Sequence, residues 1–445
     1  MGAFALGCGL GWSAPCVEIL RGPLGDMAIN VIASVFPIGA ALGTIAVPFL
    51  VDTIGRKWTM LVLVPIMITG WILIIFAGTL VPLYVLGRIM TGACGGMCCV
   101  LSPMYSAEIS EKQIRGMTGV FFQLLLVIGI LYVYLTGFTE NVIMISSLCC
   151  VIPILFGVTM FFMPESPLFY LIKNKEEEAR KSMRFFRGPS FDIEPEINLF
   201  KEQVERGKLQ KRNLAIFMRM PMLKTLCVAY GLMFVQQFSG INAIIFYGLT
   251  IFEATSVGMA SQVELVIFGT VQVVACVAAT LLVDKLGRKL LMVISLGMMC
   301  VCLAALAAFF VLTSYQPQLG AKIYWIPLTS ICVYILAFCF GVGPIPWAYM
   351  GEIFPTRLKS AASSSAALFN WLLAFTVTMA FPSAAAVLDY SVVFAFFAVL
   401  CGASIFFVFF CMVETKGKTF AEIERAFGTH VLALNAEERA NLNVQ

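Results

Sequence analysis

Two glutamines, a serine and an asparagine stand within the stretch "QQFSGINA", as Gln236, Gln237, Ser239 and Asn242. They lie inside an apolar run that begins near Met222 and is long enough to cross a bilayer. An amide buried in hydrocarbon without a partner costs roughly 2–7 kcal/mol, so these groups must face one another, other polar groups or water. Other apolar runs carry polar groups of the same kind: Gln123, Gln272, and Asn370 beside Trp371. Amides donate and accept at once, as hydroxyls do. In "FGVGPIPWAYM", Trp347 follows Pro344 and Pro346 and offers a broad face for the apolar side of a ring. No carboxylate or basic residue falls mid-span near these positions, and Arg88 is placed near the outer end of its span, where snorkelling is cheap. The inventory suits an uncharged, polyhydroxylated ligand and offers a charged one no counter-ion.

Helix geometry limits how these groups can converge. At about 100° per residue, Gln237 and Asn242 are about 140° apart on a straight rod. Either they find separate partners as interhelical glue or the rod is broken, and Gly240 between them offers the break. Irregular backbone at membrane depth is tolerated only against protein or a water-filled cavity, which is where carriers build sites. Four polar groups so closely spaced favour the broken rod. Pro344 and Pro346 remove two backbone donors and predict a hinge.

The elements that must position these groups are membrane helices. Of 445 residues, 60% are hydrophobic and 12% charged, against roughly 25% charged in a soluble domain. Eleven runs are long enough to span: 28–51, 58–78, 81–102, 116–138, 141–163, 222–250, 262–283, 290–313, 323–350, 361–385 and 388–413. A twelfth, "GAFALGCGLGWSAP", offers about fourteen apolar residues before the polar run with Glu18 and Arg21. It reads as a truncated first helix, or alternatively as a natural half-helix. It has no basic leader region, which argues against a signal peptide, and Leu6 stands where a myristoylation motif needs Ser or Thr. With the N-terminus cytoplasmic, all but Arg21, Arg88 and Lys322 of the 29 Lys and Arg fall on the cytoplasmic side. The fifteen cysteines lie mostly in apolar runs and indicate neither a disulfide framework nor a metal site. No Asn-x-Ser/Thr acceptor occurs.

The expected organisation is a bundle of six spans (1–163), a cytoplasmic helical linker (164–221), a second bundle of six (222–413) and a cytoplasmic tail (414–445). In the linker, Glu176 precedes Arg180 and Glu177 precedes Lys181 in the favourable i,i+4 order. The halves repeat. "DTIGRKWTMLV" at 52–62 matches "DKLGRKLLMVI" at 284–294; "AEISEKQIRG" at 107–116 parallels "GEIFPTRLKS" at 351–360; "MPESP" parallels "VETKG". Each half thereby gains one cytoplasmic charge cluster: Asp52, Arg56, Glu108, Arg115 and Glu165 in the first, Asp284, Arg288, Glu352, Arg357 and Glu414 in the second. Acids and arginines at helix ends can form charge-assisted, often bidentate bonds, and pairs that bridge the halves in one conformation bias the equilibrium between states. Surface ion pairs worth about 0–1 kcal/mol each are the weaker alternative.

These motifs, with "GRIMTGACGG", "PMYSAEISEKQIRG", "QQFSGINA" and "GPIPWAYMGEIFPTRLKS", run from Asp52 to Gly417. In this order they resemble the sugar porter family of the major facilitator superfamily, close to its facilitative glucose and trehalose transporters. The resemblance implies an all-α membrane protein of the major facilitator fold with twelve spans. It also implies a cytoplasmic latch closed when the site faces outward, and substrate contacts from Gln123, Gln236, Gln237, Asn242, Phe338, Trp347 and Asn370. Gln272 stands where many glucose transporters have Asn. Cys339, Ala374 and Leu168 depart from the family pattern, which leaves selectivity for glucose open.

Proton symport needs an ionisable group in the membrane that titrates with the cycle. The single histidine, His430, lies in the tail, and the first span carries Cys8 near the place where proton-coupled relatives carry an acid. The expectation is therefore facilitated diffusion of a small neutral sugar by a monomeric, multi-pass plasma-membrane protein without cofactors and without nucleic-acid partners. A proton-coupled symporter and a non-transporting sugar sensor are the rivals. An enzyme is disfavoured, since no nucleophile, metal cluster or phosphate loop stands out.

Overall fold

A computed structural model describes residues 1–111, 115–189, 191–209, 220–255, 259–316, 318, 322–354, 359–418 and 420–428. Among the described residues, twelve helical segments are long and apolar enough to span a membrane: Gly2–Leu24, Asp26–Ile54, Arg56–Ile75, Val81–Ile109, Phe121–Thr139, Val142–Phe162, Met222–Thr255, Ser261–Ala279, Arg288–Tyr315, Trp325–Ile353, Ala361–Leu388 and Tyr390–Cys411. They are called spans 1 to 12 below.

Span 1 corrects the expectation of a short first helix. It continues past Pro15 through Glu18 and Arg21 to Leu24, 23 residues in all. The polar run can be helical because its charges are mutually satisfied: Arg21 donates to Glu18 at 3.2 Å, and both contact the hydroxyl of Thr250 on span 7. Paired charges near a helix end cost far less than lone ones.

Within the first six spans, span 2 lies along span 4, span 1 between spans 4 and 5, and span 3 against spans 4 and 6. The last six repeat the plan, with span 9 against spans 10 and 12 and span 7 against span 11. Among the described residues the halves meet mainly through span 2 with 11, span 5 with 8, and span 1 with the second part of span 7. Glycine permits the tightest of the packings. A Cβ on Gly43 would sit 2.0 Å from the carbonyl oxygen of Ala93, and one on Gly92 2.3 Å from that of Phe36.

Between the halves, the helices Pro167–Ile172, Glu176–Arg187 and Glu194–Leu209 close over a small apolar core that includes Leu171, Met183, Ile197 and Phe200. Ser182 donates to the carbonyl of Glu165 at 2.5 Å, and Arg187 to that of Ile109 at 2.6 Å, so this unit docks on the charged ends of spans 4 and 6.

Candidate functional site

Span 7 is broken where the residues required it. Its helix stops at Phe238, Gly240 takes φ +88°, and a new helix starts at Ile241. A Cβ on Gly240 would lie 2.9 Å from the ring of Phe397, so both conformation and space favour glycine there. The turn brings the amides together. Asn242 Nδ2 donates to Gln237 Oε1 (2.5 Å), Gln237 Nε2 to Asn370 Oδ1 (2.9 Å), and Asn370 Nδ2 to Gln236 Oε1 (2.9 Å). All four residues are buried. The hydroxyl of Tyr334 on span 10 donates to the carbonyl of Ser239 at the break (2.9 Å).

Span 10 breaks as well, between helices Trp325–Phe340 and Ile345–Ile353. Gln236 Nε2 donates to the carbonyls of Val342 (3.0 Å) and Gly343 (2.8 Å), and Val342 N donates to Ser295 Oγ on span 9 (3.2 Å). Phe338 is buried beside this break, its ring 2.8 Å from where a Cβ on Gly343 would lie, and Trp347 is half-buried just beyond it. Gln272 on span 8 is 2% exposed, and its Oε1 has no hydrogen-bond partner among the described residues. The thiol of Cys339 reaches the backbone carbonyl of Gln272 at 3.9 Å. The indole N–H of Trp371, beside Asn370, is likewise buried without a partner among the described residues. A buried polar atom without a partner calls for one, and a ligand's hydroxyl could serve. Gln123 stands half-buried on span 5, outside this bonded group.

Arg88 does not snorkel. It is fully buried, donating to the carbonyl of Gly9 (2.7 Å), the hydroxyl of Ser13 (2.7 Å) and the carbonyl of Ile32 (3.4 Å). Its guanidinium also lies over the rings of Trp12 and Phe36, 4.9 and 4.6 Å from their centroids. Five fixed donors and aromatic faces let arginine be buried where lysine could not be. Span 1 meets this cation with the carbonyl of Gly9, the ring of Trp12 and the hydroxyl of Ser13, while the thiol of Cys8 points to the carbonyl of Gly129 at 3.8 Å.

The charged motifs build two clusters on one plan. Glu165 accepts from the backbone N–H groups of Arg56 (3.0 Å), Lys57 (2.9 Å) and Ser166 (2.8 Å), and Glu414 from those of Arg288, Lys289, Thr415 and Lys416 at 2.9–3.0 Å. Each carboxylate caps the N-terminus of a helix earlier in its own half, span 3 for Glu165 and span 9 for Glu414, where it meets orphan N–H groups and the positive end of the dipole. Arg56 pairs with Glu108 at 2.8 Å and Arg288 with Glu352 at 3.3 Å, while the hydroxyls of Ser166 and Thr415 bond to the same two acids. These pairs join spans of one half. Asp52 is exposed at the end of span 2. The side chains of Arg115 and Asp284, and all of Arg357, lie outside the described residues.

Residues 15–427 match the sugar (and other) transporter family. The chain belongs to that family. Among its relatives, the facilitated trehalose transporter Tret1-2 homolog of Drosophila simulans is 37% identical over 88% of this chain and 81% of its own. The facilitated trehalose transporter Tret1 of Polypedilum vanderplanki is 34% identical over 96% of this chain and 86% of its own. Among solved structures, the proton:xylose symporter XylE, a major facilitator superfamily protein, superposes with a TM-score of 0.79 at 23% identity, covering 96% of this chain and 97% of that one. The xylose transporter XylE from E. coli in a partially occluded inward-open conformation gives 0.78 at 24% identity over 94% and 97%. At that identity the likeness is one of fold. The protein is thus a multi-pass membrane transporter of the sugar porter family.

In this transporter the residues named from sequence fall into three sets: Gln236, Gln237, Asn242 and Asn370 in one bonded group, Gln272, Phe338 and Trp347 around the span 10 break, and Gln123 apart. Trp371 is noted beside Asn370 in the sequence but not named among the contacts, and Tyr334 and Ser295, which bond at the two breaks, carry no signal there. The Glu414 carboxyl yields a pH prediction. Partial burial pushes its pKa up, but the four backbone donors outweigh that and hold it below the ordinary carboxylate value. Its stabilisation is present above the ordinary range and is lost as pH falls through the depressed value. Protection of the amides of Arg288, Lys289, Thr415 and Lys416 against hydrogen exchange, taken relative to the intrinsic rate at each pH, is therefore expected to fall in acid, and Glu414→Gln to remove that pH dependence. An unchanged acid limb in the variant contradicts the assignment.

Proposed function

We propose that this transporter carries a small neutral sugar, a hexose or trehalose, by facilitated diffusion in the plasma membrane, with both termini cytoplasmic. The observation that carries the reading is the buried amide group closed between the breaks of spans 7 and 10. It offers donors and acceptors suited to hydroxyls, with aromatic faces beside it and no charge among its members. Gln123, Gln236, Gln237, Asn242, Gln272, Asn370, Phe338 and Trp347 are the proposed contacts. The two halves, 1–163 and 222–413, rock about this site. At the end away from the charged motifs they are joined by Thr250 with Glu18 and Arg21, and by Gln262 with the carbonyl of Tyr134 (2.5 Å). Such joins favour a state in which the site opens toward the motifs, and the charge clusters, completed by Asp52, Arg115, Asp284 and Arg357, are the proposed latch for the opposite state.

Absence of proton coupling is favoured by the surroundings of Arg88. Its partners are two carbonyls and a hydroxyl, and the one carboxylate of span 1, Glu18, sits at that span's far end. A hydroxyl does not titrate near neutral pH, so nothing in this contact takes up and releases a proton with the cycle. Counterflow in proteoliposomes with labelled glucose and trehalose tests the proposal. Exchange of one sugar is expected, without accumulation under an inward proton gradient. Accumulation makes the protein a symporter; binding without flux makes it a sensor; neither binding nor flux removes both sugars.

A further inference from the structure

Gln236 differs from its neighbours in what it holds. Residue 346 is proline, so the carbonyl of Val342 lacks the donor that an unbroken helix places four residues later. Gln236, on another span, supplies it: Nε2 lies 3.0 Å from the Val342 oxygen and 2.8 Å from that of Gly343. An amide NH2 has two hydrogens, and both are engaged by these carbonyls. Carbonyls accept and never donate, so the amide can face them in one sense alone. Its Oε1 must then face the NH2 of Asn370, whose Oδ1 faces the NH2 of Gln237, whose Oε1 faces the NH2 of Asn242. The span 10 break thereby fixes the hydrogen-bond polarity of the whole group. It leaves Asn242 with an oxygen, and Gln237 with a second N–H, for a ligand.

We propose that Gln236 is a positioning residue: a strut that ties the break of span 10 to that of span 7 and orients Gln237 and Asn242 through Asn370. The inference rests on the sugar-carrier reading and moves Gln236 from direct ligand to coupling element. A carbonyl relieved by Pro346 holds the strut in place, so any movement of the span 10 hinge is felt at the amides that meet the substrate.

Restoring the missing backbone donor is the test. Gln236→Met removes the strut, and Pro346→Ala returns an N–H four residues after Val342, placed to bond to its carbonyl from within span 10. For Gln236→Met the maximal uptake rate of the carried sugar is expected to fall about tenfold with KM changed less than about threefold, since the loss falls on a conformational step rather than on uniform binding. In the double variant the rate is expected to recover to within about threefold of Pro346→Ala alone, the penalty of the unpaired carbonyl having gone. Thermal unfolding of the purified proteins gives a readout that needs no substrate: the midpoint drops in Gln236→Met and returns in the double variant. A loss confined to KM, or a double variant no better than Gln236→Met in both rate and midpoint, overturns the strut. Wild-type protein that carries neither sugar while the midpoints still show rescue rejects the sugar reading and leaves the strut standing.

Discussion

Gln237→Leu is expected to lower sugar uptake about 100-fold while leaving the protein folded. Leucine is apolar and one bond shorter than glutamine, and it leaves Asn370 Oδ1 and Asn242 Nδ2 without the partners they have at 2.9 and 2.5 Å. Each orphaned buried group costs about 1–3 kcal/mol, and about 1.4 kcal/mol is a factor of ten, so two place the effect near 100-fold if both are felt in the loaded carrier. Fold survives because the break itself is held elsewhere, by Gly240 and by Tyr334 on the Ser239 carbonyl. Initial uptake rates in proteoliposomes, normalised to reconstituted protein, measure it. A variant transporting at the wild-type rate would remove the amide group from the substrate path and with it the central reason for a sugar.

How far this site was legible follows from the kind of signal each residue left. The span 7 break could be read because angular spacing forbids Gln237 and Asn242 on one straight rod and a glycine stands between them. The span 10 hinge could be read because proline lacks an N–H whatever its surroundings. What was not legible depends on distant chain. Nothing local to Gln236 says that its amide answers a carbonyl 106 positions away. Arg88 was misplaced for the same reason: sequence places it near a span's start, where snorkelling is the cheap solution, but the Gly9 and Ile32 carbonyls, Ser13, Trp12 and Phe36 make a closed pocket that only the packed bundle assembles. Span 1 looked short because Glu18 and Arg21 were read as two charges to be solvated. Paired with each other and with Thr250, they allow the helix to continue. The charged motifs were legible as repeats, and the twin carboxylate caps of Glu165 and Glu414 are that repeat expressed in hydrogen bonds. Which spans their arginines would meet was not, and Arg56 and Arg288 each find an acid within their own half.

Gly43→Leu is expected to abolish folded protein, a stronger effect on stability than any change at the amides. "GRIMTGACGG" was legible as a motif, yet its use is a backbone contact: spans 2 and 4 cross so closely that a Cβ on Gly43 would lie 2.0 Å from Ala93 O, on Gly39 2.3 Å from Ile89 O, on Gly92 2.3 Å from Phe36 O and on Gly96 2.2 Å from Ala40 O. Carbon and carbonyl oxygen need about 3.3 Å even when weakly bonded. The listener on each side is main chain, which has no rotamer to turn aside, so the two spans must part by more than about 1 Å, beyond the usual 1–3 kcal/mol of an overpacked core. Small residues at such crossings are how membrane helices gain contact without a hydrophobic driving force. Span 2 also packs on span 11 across the halves, so displacing it disturbs the surface on which they rock. Gly297→Leu is the matched control, since a Cβ there meets nothing within 4 Å. Detergent-extracted yield and thermal midpoint separate the cases: Gly43→Leu should lose both, Gly297→Leu neither, and Gln237→Leu should keep its yield, with a lowered midpoint, while losing transport. If Gly43→Leu yields folded, transporting protein, spans 2 and 4 are not in backbone contact, and the placement of span 2 against span 11 falls with that contact.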